Sequence, residues 1–271
     1  MTFPQVQLLG FAVVALSAVA FAVGERRYPY NAGQRLFREG FWTDLLLYNV
    51  LQSYVLGVLI GQFLSRLDAT TNLSRHGWLR GWPLPLQLLF FVVTHDLYIY
   101  VFHGWMHRSP WLWRLHEAHH SAREVDWLSG VRSHAFEILI NQTVEFAPIV
   151  LLGAAPAVAV GKGVVSAVWG MFIHANLDVR LGRLQRLING PEMHRWHHST
   201  QPDAQAKNFS TKLAIWDWLF GTAFFPDPHR RKASGYGLVD ERFPRGYVGQ
   251  QLYAFRPLHE ASGSTAVGEV A

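Results

Sequence analysis

The chain contains no cysteine. That excludes disulfides, iron–sulfur clusters, thiolate-ligated haem and every zinc site built on sulfur. It says little about compartment. Charge is scarce as well: only 16% of the 271 residues are Asp, Glu, Lys or Arg, where a soluble domain carries about 25%. Half of the residues, 50%, are hydrophobic, and mean hydropathy lies above zero. Such a balance leaves too little charge to cover a water-facing surface and points to a membrane protein. The formal charge of +5 comes with no basic run and no nucleic-acid-binding motif, so no nucleic-acid partner is expected. The arginines fall between apolar stretches, where they face anionic lipid.

Histidine, in contrast, is clustered. His103 and His107 are four apart, and His116, His119 and His120 form an HxxHH group. A second HxxHH, His194, His197 and His198, follows about seventy-five residues on, so these three groups hold eight of the fourteen histidines. On a helix, positions i, i+3 and i+4 share one face, so each group can aim several imidazoles at one point. Packed cationic imidazoles would repel one another, and packed neutral ones would each need a hydrogen-bond partner. A metal ion resolves both difficulties, because neutral imidazole is its commonest nitrogen ligand.

The apolar runs set the frame. Residues 3–24 are long enough to cross a bilayer. Arg26 and Arg27 follow them and no basic residue precedes them, which is the reverse of a secretory signal. An uncleaved anchor is expected, although Ala18-Val19-Ala20 resembles a cleavage site. The positive-inside rule puts the segment Arg26 to Arg38 in the cytoplasm, while the Ser65 to Trp82 loop is basic too. Second and third spans are expected over 44–64 and from Pro83 or Pro85 through 86–105. Residues 108–136 should form amphipathic helices at the interface, with Trp111, Trp113 and Trp127 at headgroup depth. Two further apolar stretches, 138–160 and 163–177, read as a helical hairpin split by Gly161-Lys162-Gly163. The expected fold is thus all-α: an integral membrane helical bundle of three spans plus a helical hairpin, with a helical His-rich metal domain on the cytosolic side. One domain is expected over 1–260, its His-rich core at 95–225, with a disordered tail at 261–271. Three crossings plus a hairpin place His103–His134, His174 and His194–His198 on one side of the bilayer. Asp96, seven before His103, can hydrogen-bond a ligand or face another helix as a buried polar group.

So many imidazoles exceed the needs of one ion, since a catalytic zinc takes about three protein ligands. Two ions sharing them fits better. Ligand type alone does not fix the metal, because zinc or copper would bind at least as tightly as ferrous iron. Two other readings share residues with this one. His116-Glu117-x-x-His120 matches the HExxH pattern of zinc metalloproteases, with Glu117 as general base, but leaves the other histidines unexplained. A non-enzymatic metal transporter would need histidines along a path through the bilayer, whereas these gather outside the spans.

Taken in order, the motifs D-x6-H-x3-H at Asp96–His107, L-W-R-L-H-E-A-H-H-S, R-S-H-x2-E, H-x-N, H-R-W-H-H-S, N-F and I-W-D-W-L-F-G-T resemble the fatty acid hydroxylase/sterol desaturase superfamily. The likeness covers about residues 95–225. It implies a membrane-bound di-iron oxygenase with its site on the cytoplasmic face, which uses O2 and two electrons to hydroxylate or desaturate a fatty acyl, sterol-like or related lipid. Zinc could replace iron as purified. Carried over by position, His103, His107, His116, His119, His120, His194, His197 and His198 would be ligands, with His134 and His174 matching further histidines of the family. Asp96, Glu137, Asn208 and Asp217 would support them. The chain lacks the fused cytochrome b5 domain of some members, so the resemblance implies a separate electron donor of ferredoxin or cytochrome b5 type.

Overall fold

The structure is a computed structural model and describes residues 1–226, 232–240 and 242–257. The expected disordered tail at 261–271 lies outside the described residues. Among these, every regular element is helical, and one isolated bridge pairs Pro29 with Leu177. Helix α1 spans Phe3–Arg27. A π-helical segment, Thr43–Gln52, runs directly into α2, Ser53–Thr71. Then come α3 (Leu84–Arg108), α4 (Pro110–His120), α5 (Ala135–Leu151), α6 (Pro156–His174), α7 (Pro191–His197), α8 (Ile215–Leu219) and α9 (Tyr247–Tyr253). Proline stands in the first turn of α1, α3, α4, α6 and α7, where its missing N–H costs nothing and its fixed φ suits the helix. Four stretches are long and apolar enough to cross a membrane: Phe3–Arg27, Thr43–Thr71, Leu84–Arg108 and Pro156–His174.

The hairpin is present, but its turn is not at Gly161-Lys162-Gly163. The chain turns at residues 152–155, where Gly153 takes φ +67° and Pro156 starts the return arm. Glycine without a proline is tolerated inside a packed helix, so 161–163 continues α6. The tight turn needs Gly153: a Cβ there would stand 2.5 Å from the Ser74 carbonyl oxygen.

Helix α5 packs on α2 through Leu56, Ile60 and Leu64, one face at spacing four, against Ile138, Leu139 and Phe146. A second cluster, Leu79, Phe91, Ile149 and Val158, joins α3, α5 and α6. Lys162 of α6 is fully buried in this bundle. It pairs with Glu145 of α5 and donates to Ser166 Oγ at 3.0 Å, with His95 Nδ1 of α3 at 3.1 Å. A buried charge in lipid surroundings persists only when so paired.

The end of α1 meets the exit of α6. Glu25 Oε1, buried at the end of α1, accepts from the backbone N–H of Trp127 and of Asn176, each at 2.7 Å. That fixes the exit of α6 and the loop after α4 relative to the first span. Strap-like α9 closes the same end. Tyr48 of the π-helical segment donates to Gln250 Oε1 at 2.6 Å, and Tyr247 donates to Gln52 Oε1 at 2.8 Å.

Candidate metal centre

Nine histidines converge at the end where α3 and α6 finish. Every one is buried. They fall into two groups whose ligand atoms lie within 4.8 Å of one another: His103, His107, His116, His120 and His197 in one, and His119, His174, His194 and His198 in the other. The last two turns of α3 supply His103 and His107. The HxxHH of α4 feeds both groups, His116 and His120 to the first and His119 to the second. The exit residue of α6 is His174, and the HxxHH ending α7 again serves both, His197 to the first group, His194 and His198 to the second.

The outer ring nitrogens fix the tautomers. His103 Nδ1 meets the Phe209 carbonyl at 2.7 Å, His119 the Arg132 carbonyl at 3.2 Å, His174 the Gly170 carbonyl at 2.8 Å and His197 the Lys207 carbonyl at 2.8 Å. A carbonyl only accepts, so each Nδ1 carries the proton and each Nε2 is left with a lone pair. Those Nε2 atoms face one another. His119 and His174 approach to 3.3 Å, His194 and His174 to 3.0 Å, His198 and His174 to 3.2 Å, and His197 and His120 to 3.1 Å. For His119 and His174 both nitrogens in contact are bare. A hydrogen bond there would need an imidazolium, and burial opposes it: desolvation drives the pKa of His119, His120, His194 and His198 well below 6.5 and that of His197 to about 3. Converging neutral lone pairs on buried rings are what a cation stabilises. Both ring nitrogens of His107 are buried and, among the described residues, without a hydrogen-bond partner, which fits the same conclusion.

The structure gives each supporting residue a definite task. Glu137 Oε1 meets His116 Nδ1 at 3.0 Å, as a carboxylate that orients a metal-bound imidazole does. Asp217 accepts from the Phe209 and Ser210 N–H groups at 2.8 and 2.9 Å, so it aims the Phe209 carbonyl at His103. Asn208 takes φ +57° and bridges the Met193 and Phe224 carbonyls at 2.9 and 2.7 Å. Its αL turn presents the Lys207 and Phe209 carbonyls to His197 and His103. Among the described residues, Asp96 hydrogen-bonds none of the nine clustered histidines. Its carboxylate accepts from Thr211 Oγ1, the Lys212 and Leu213 N–H groups and Trp216 Nε1, at 2.7 to 3.1 Å. It pins the chain leading into α8 against α3.

Two sequence expectations need correction. His134 stands outside both groups: Nδ1 accepts from the Phe136 N–H at 3.1 Å, and Nε2 donates to the Gln251 carbonyl at 2.9 Å. It caps α5 and holds α9, because Ala135 begins a helix whose first N–H groups need an acceptor. Trp113 does not face the surroundings as a headgroup anchor would. It is buried, its ring 5.1 Å from that of His107 and 5.3 Å from that of His120, and so walls off the first group. Trp111 is exposed.

Several residues that matter here escaped the sequence reading. Arg195, in the middle of the second HxxHH, is fully buried and donates through Nη2 to the Val125, His174 and Ala175 carbonyls at 2.9 to 3.3 Å. Arg38 grips Asp126 with two bonds of 2.8 Å and reaches Asp44, which in turn holds Arg132. Through Arg132 this ion network supports the carbonyl that orients His119. Arg256 forms a two-bond ion pair with Glu117, at 2.8 and 2.6 Å. Arginine within a histidine motif and charges distant in sequence carry no spacing signal that would single them out.

This is a helical membrane protein with a buried double nest of imidazoles at one end of its bundle. The chain belongs to the fatty acid hydroxylase family. The family signature matches residues 88–222. The ornithine lipid hydroxylase OlsE of Rhizobium tropici is 30% identical over 256 residues, an alignment that spans 92% of this chain and 76% of the relative. The alkylglycerol monooxygenase of Danio rerio is 31% identical over 132 residues, 49% of this chain but only 29% of that protein. Methylsterol monooxygenase 1-3 of Arabidopsis thaliana is 27% identical over 157 residues, covering about half of each chain (52% and 51%). No solved structure matches the chain.

Proposed function

We propose that this protein is a lipid oxygenase with a two-iron centre. One ion would be held by His103, His107, His116, His120 and His197, the other by His119, His174, His194 and His198. When bound, the ions supply reductive activation of O2, with two electrons from a separate donor protein. The products would be a hydroxylated or a desaturated lipid. Relatives named for ornithine lipid, alkylglycerol and methylsterol substrates support a lipid as the molecule oxidised. The centre would face the cytoplasm, as Arg26 and Arg27 at the exit of α1 suggest.

The single observation that carries this reading is the meeting of bare Nε2 atoms in two adjacent nests. The protein's own work follows from it. Carbonyls of Phe209, Lys207, Arg132 and Gly170 keep the imidazoles neutral and aimed inward. Trp113 and the buried ring array exclude water, so that the reactive site is shielded while the lipid is oxidised. Two observations weigh against the rival readings. The carboxylate a zinc protease would use as base, Glu117, is engaged with Arg256. The histidine nests sit together at one end of the bundle, whereas conduction would need ligands along it.

The test is metal analysis joined to turnover. The purified protein, loaded with iron in nanodiscs made with native lipid extract, is given a reductant and 18O2. Two ions per chain are expected, with product lipids heavier by one labelled oxygen or lighter by two hydrogens. His198→Ala should lose product and about one ion, whereas His134→Ala should keep both ions. A single zinc per chain and no O2-dependent change in any lipid would overturn the reading.

A further inference from the structure

A pocket of about 420 Å³ opens beside the four-histidine nest. Its wall toward the nest is made of Ser121 and Arg132. Ser121 directly follows His120, and Arg132 Nη1 donates to Ser121 Oγ at 3.0 Å while its carbonyl takes the His119 proton. The cavity is therefore one residue layer from the centre, outside the imidazoles.

Its charges are unevenly satisfied. Arg132 is paired with Asp44, Arg245 with Glu39 at 3.4 Å, and Asp240 with Arg242 at 2.9 Å. Arg35, Arg123 and Glu124 also line the cavity. Among the described residues none of these three has an ion-pair or hydrogen-bond partner. Two free guanidiniums and one free carboxylate thus face one space, an arrangement complementary to a ligand with an anionic group and a cationic one.

The rims say which phase the ligand comes from. On one side Leu36, Phe37 and Trp42 are exposed, and Phe37 and Trp42 stack with ring centroids 5.4 Å apart. On the other, α9 turns its polar face inward through Tyr247, Gln250 and Gln251. Its outer residues Val248 and Leu252, and Phe255 just beyond it, are 63–65% exposed. Both segments pack against the entrance of a membrane span, where exposed aromatic and aliphatic side chains seat in the headgroup region. A charged pocket between two such rims opens at headgroup depth.

We propose that this pocket is the seat of a zwitterionic lipid headgroup, with Arg35 and Arg123 taking its carboxylate or phosphate and Glu124 its ammonium. The inference rests on the lipid-oxygenase reading and names the class of lipid that reading would use. The headgroup is anchored on the aqueous side of Arg132, and the remainder of the lipid lies beyond it.

Binding can be read without turnover, by titrating metal-loaded protein in neutral detergent with a dioctanoyl lipid whose headgroup is an amino acid bearing free carboxylate and ammonium. The same titration is run with dioctanoylglycerol, with dioctanoyl phosphatidic acid and with the free amino acid. Wild type should bind the zwitterionic lipid best. Arg35→Ala/Arg123→Ala should weaken it by about tenfold or more, with metal content and Tm unchanged. Glu124→Gln should weaken the zwitterionic lipid but not phosphatidic acid. Equal binding by dioctanoylglycerol or by the double variant would overturn the proposal, as would free amino acid binding as tightly as the lipid. So would lipid affinity that survives in the double variant while reduction by an acidic electron donor slows, which would make the pocket a protein-docking notch. Failure of binding leaves the oxygenase reading standing, and absence of lipid oxidation leaves a measured headgroup site standing.

Discussion

Removing the guanidinium of Arg256 separates a structural reading of the HExxH segment from a catalytic one. Arg256 and Glu117 side chains are only 6% and 1% exposed, and two bonds of 2.8 and 2.6 Å join them. Breaking such a buried pair from one side removes the two-bond partner of a buried charge and costs up to about 3–5 kcal/mol. At roughly 2–4 °C per kcal/mol for a chain of this size, Arg256→Met should lower Tm by on the order of 10 °C. The cost falls on α4, which carries three of the nine histidines, so iron retention should fall with it. Glu117→Gln should behave likewise. The double variant Glu117→Gln/Arg256→Met keeps the packing volume and leaves no stranded charge, so it should recover to within about 1–2 kcal/mol of wild type. Differential scanning fluorimetry in detergent gives Tm, and plasma emission spectrometry gives iron per chain. Lipid turnover decides the role: recovery in the double variant shows that Glu117 acts through the fold. If the double variant is as stable as wild type yet inert, Glu117 takes part in the chemistry and the argument fails.

Gly130→Ala should disturb one nest only. A Cβ there would come within 2.5 Å of His174 Nδ1, displacing a ring that belongs to the four-histidine group, so iron should drop toward one ion per chain with the helix content by circular dichroism preserved. Lys162→Met leaves Glu145 buried without its cation and should cost about 3–5 kcal/mol, seen as a lower Tm. Lys162→Met/Glu145→Gln should regain most of that loss, and unchanged Tm in the single variant would show that the pair is not a determinant of bundle stability.

The sequence made the nests legible because helical spacing maps onto one face with little ambiguity: HxxHH at 116–120 and again at 194–198 can only cluster. Spacing did not show that each HxxHH splits between the two groups, since that depends on how α4 and α7 cross. The span boundary near 84 was readable from proline at a helix start. The hairpin turn was misplaced because glycine looks like punctuation in a string, whereas packing decides whether it breaks a helix. His134 shows the same limit. Its motif neighbours, Arg132 and Glu137, do support ligands, yet its own ring faces α9, some 117 residues on. Contacts over that range leave no local pattern.

Many hydrogen bonds around the centre hold imidazoles in place without calling on an ion. Asp96 fixes the entry to α8, Asp217 and Asn208 shape the Lys207–Phe209 turn, and Arg195 draws the exit of α6 onto α7. None of these contacts needs a metal. They press uncharged nitrogen lone pairs to about 3 Å from one another, as between His119 and His174, which is unfavourable among buried rings. The scaffold therefore holds a local repulsion that a bound cation would relieve, and metal binding would add directly to the stability of the fold that presents it. Because the ligands come from the ends of two spans and from two helices beyond them, that stabilisation ties α4 and α7 to the membrane bundle. The same ties place the headgroup pocket at a fixed offset from the nests, since Arg132 lines that pocket and its carbonyl holds His119.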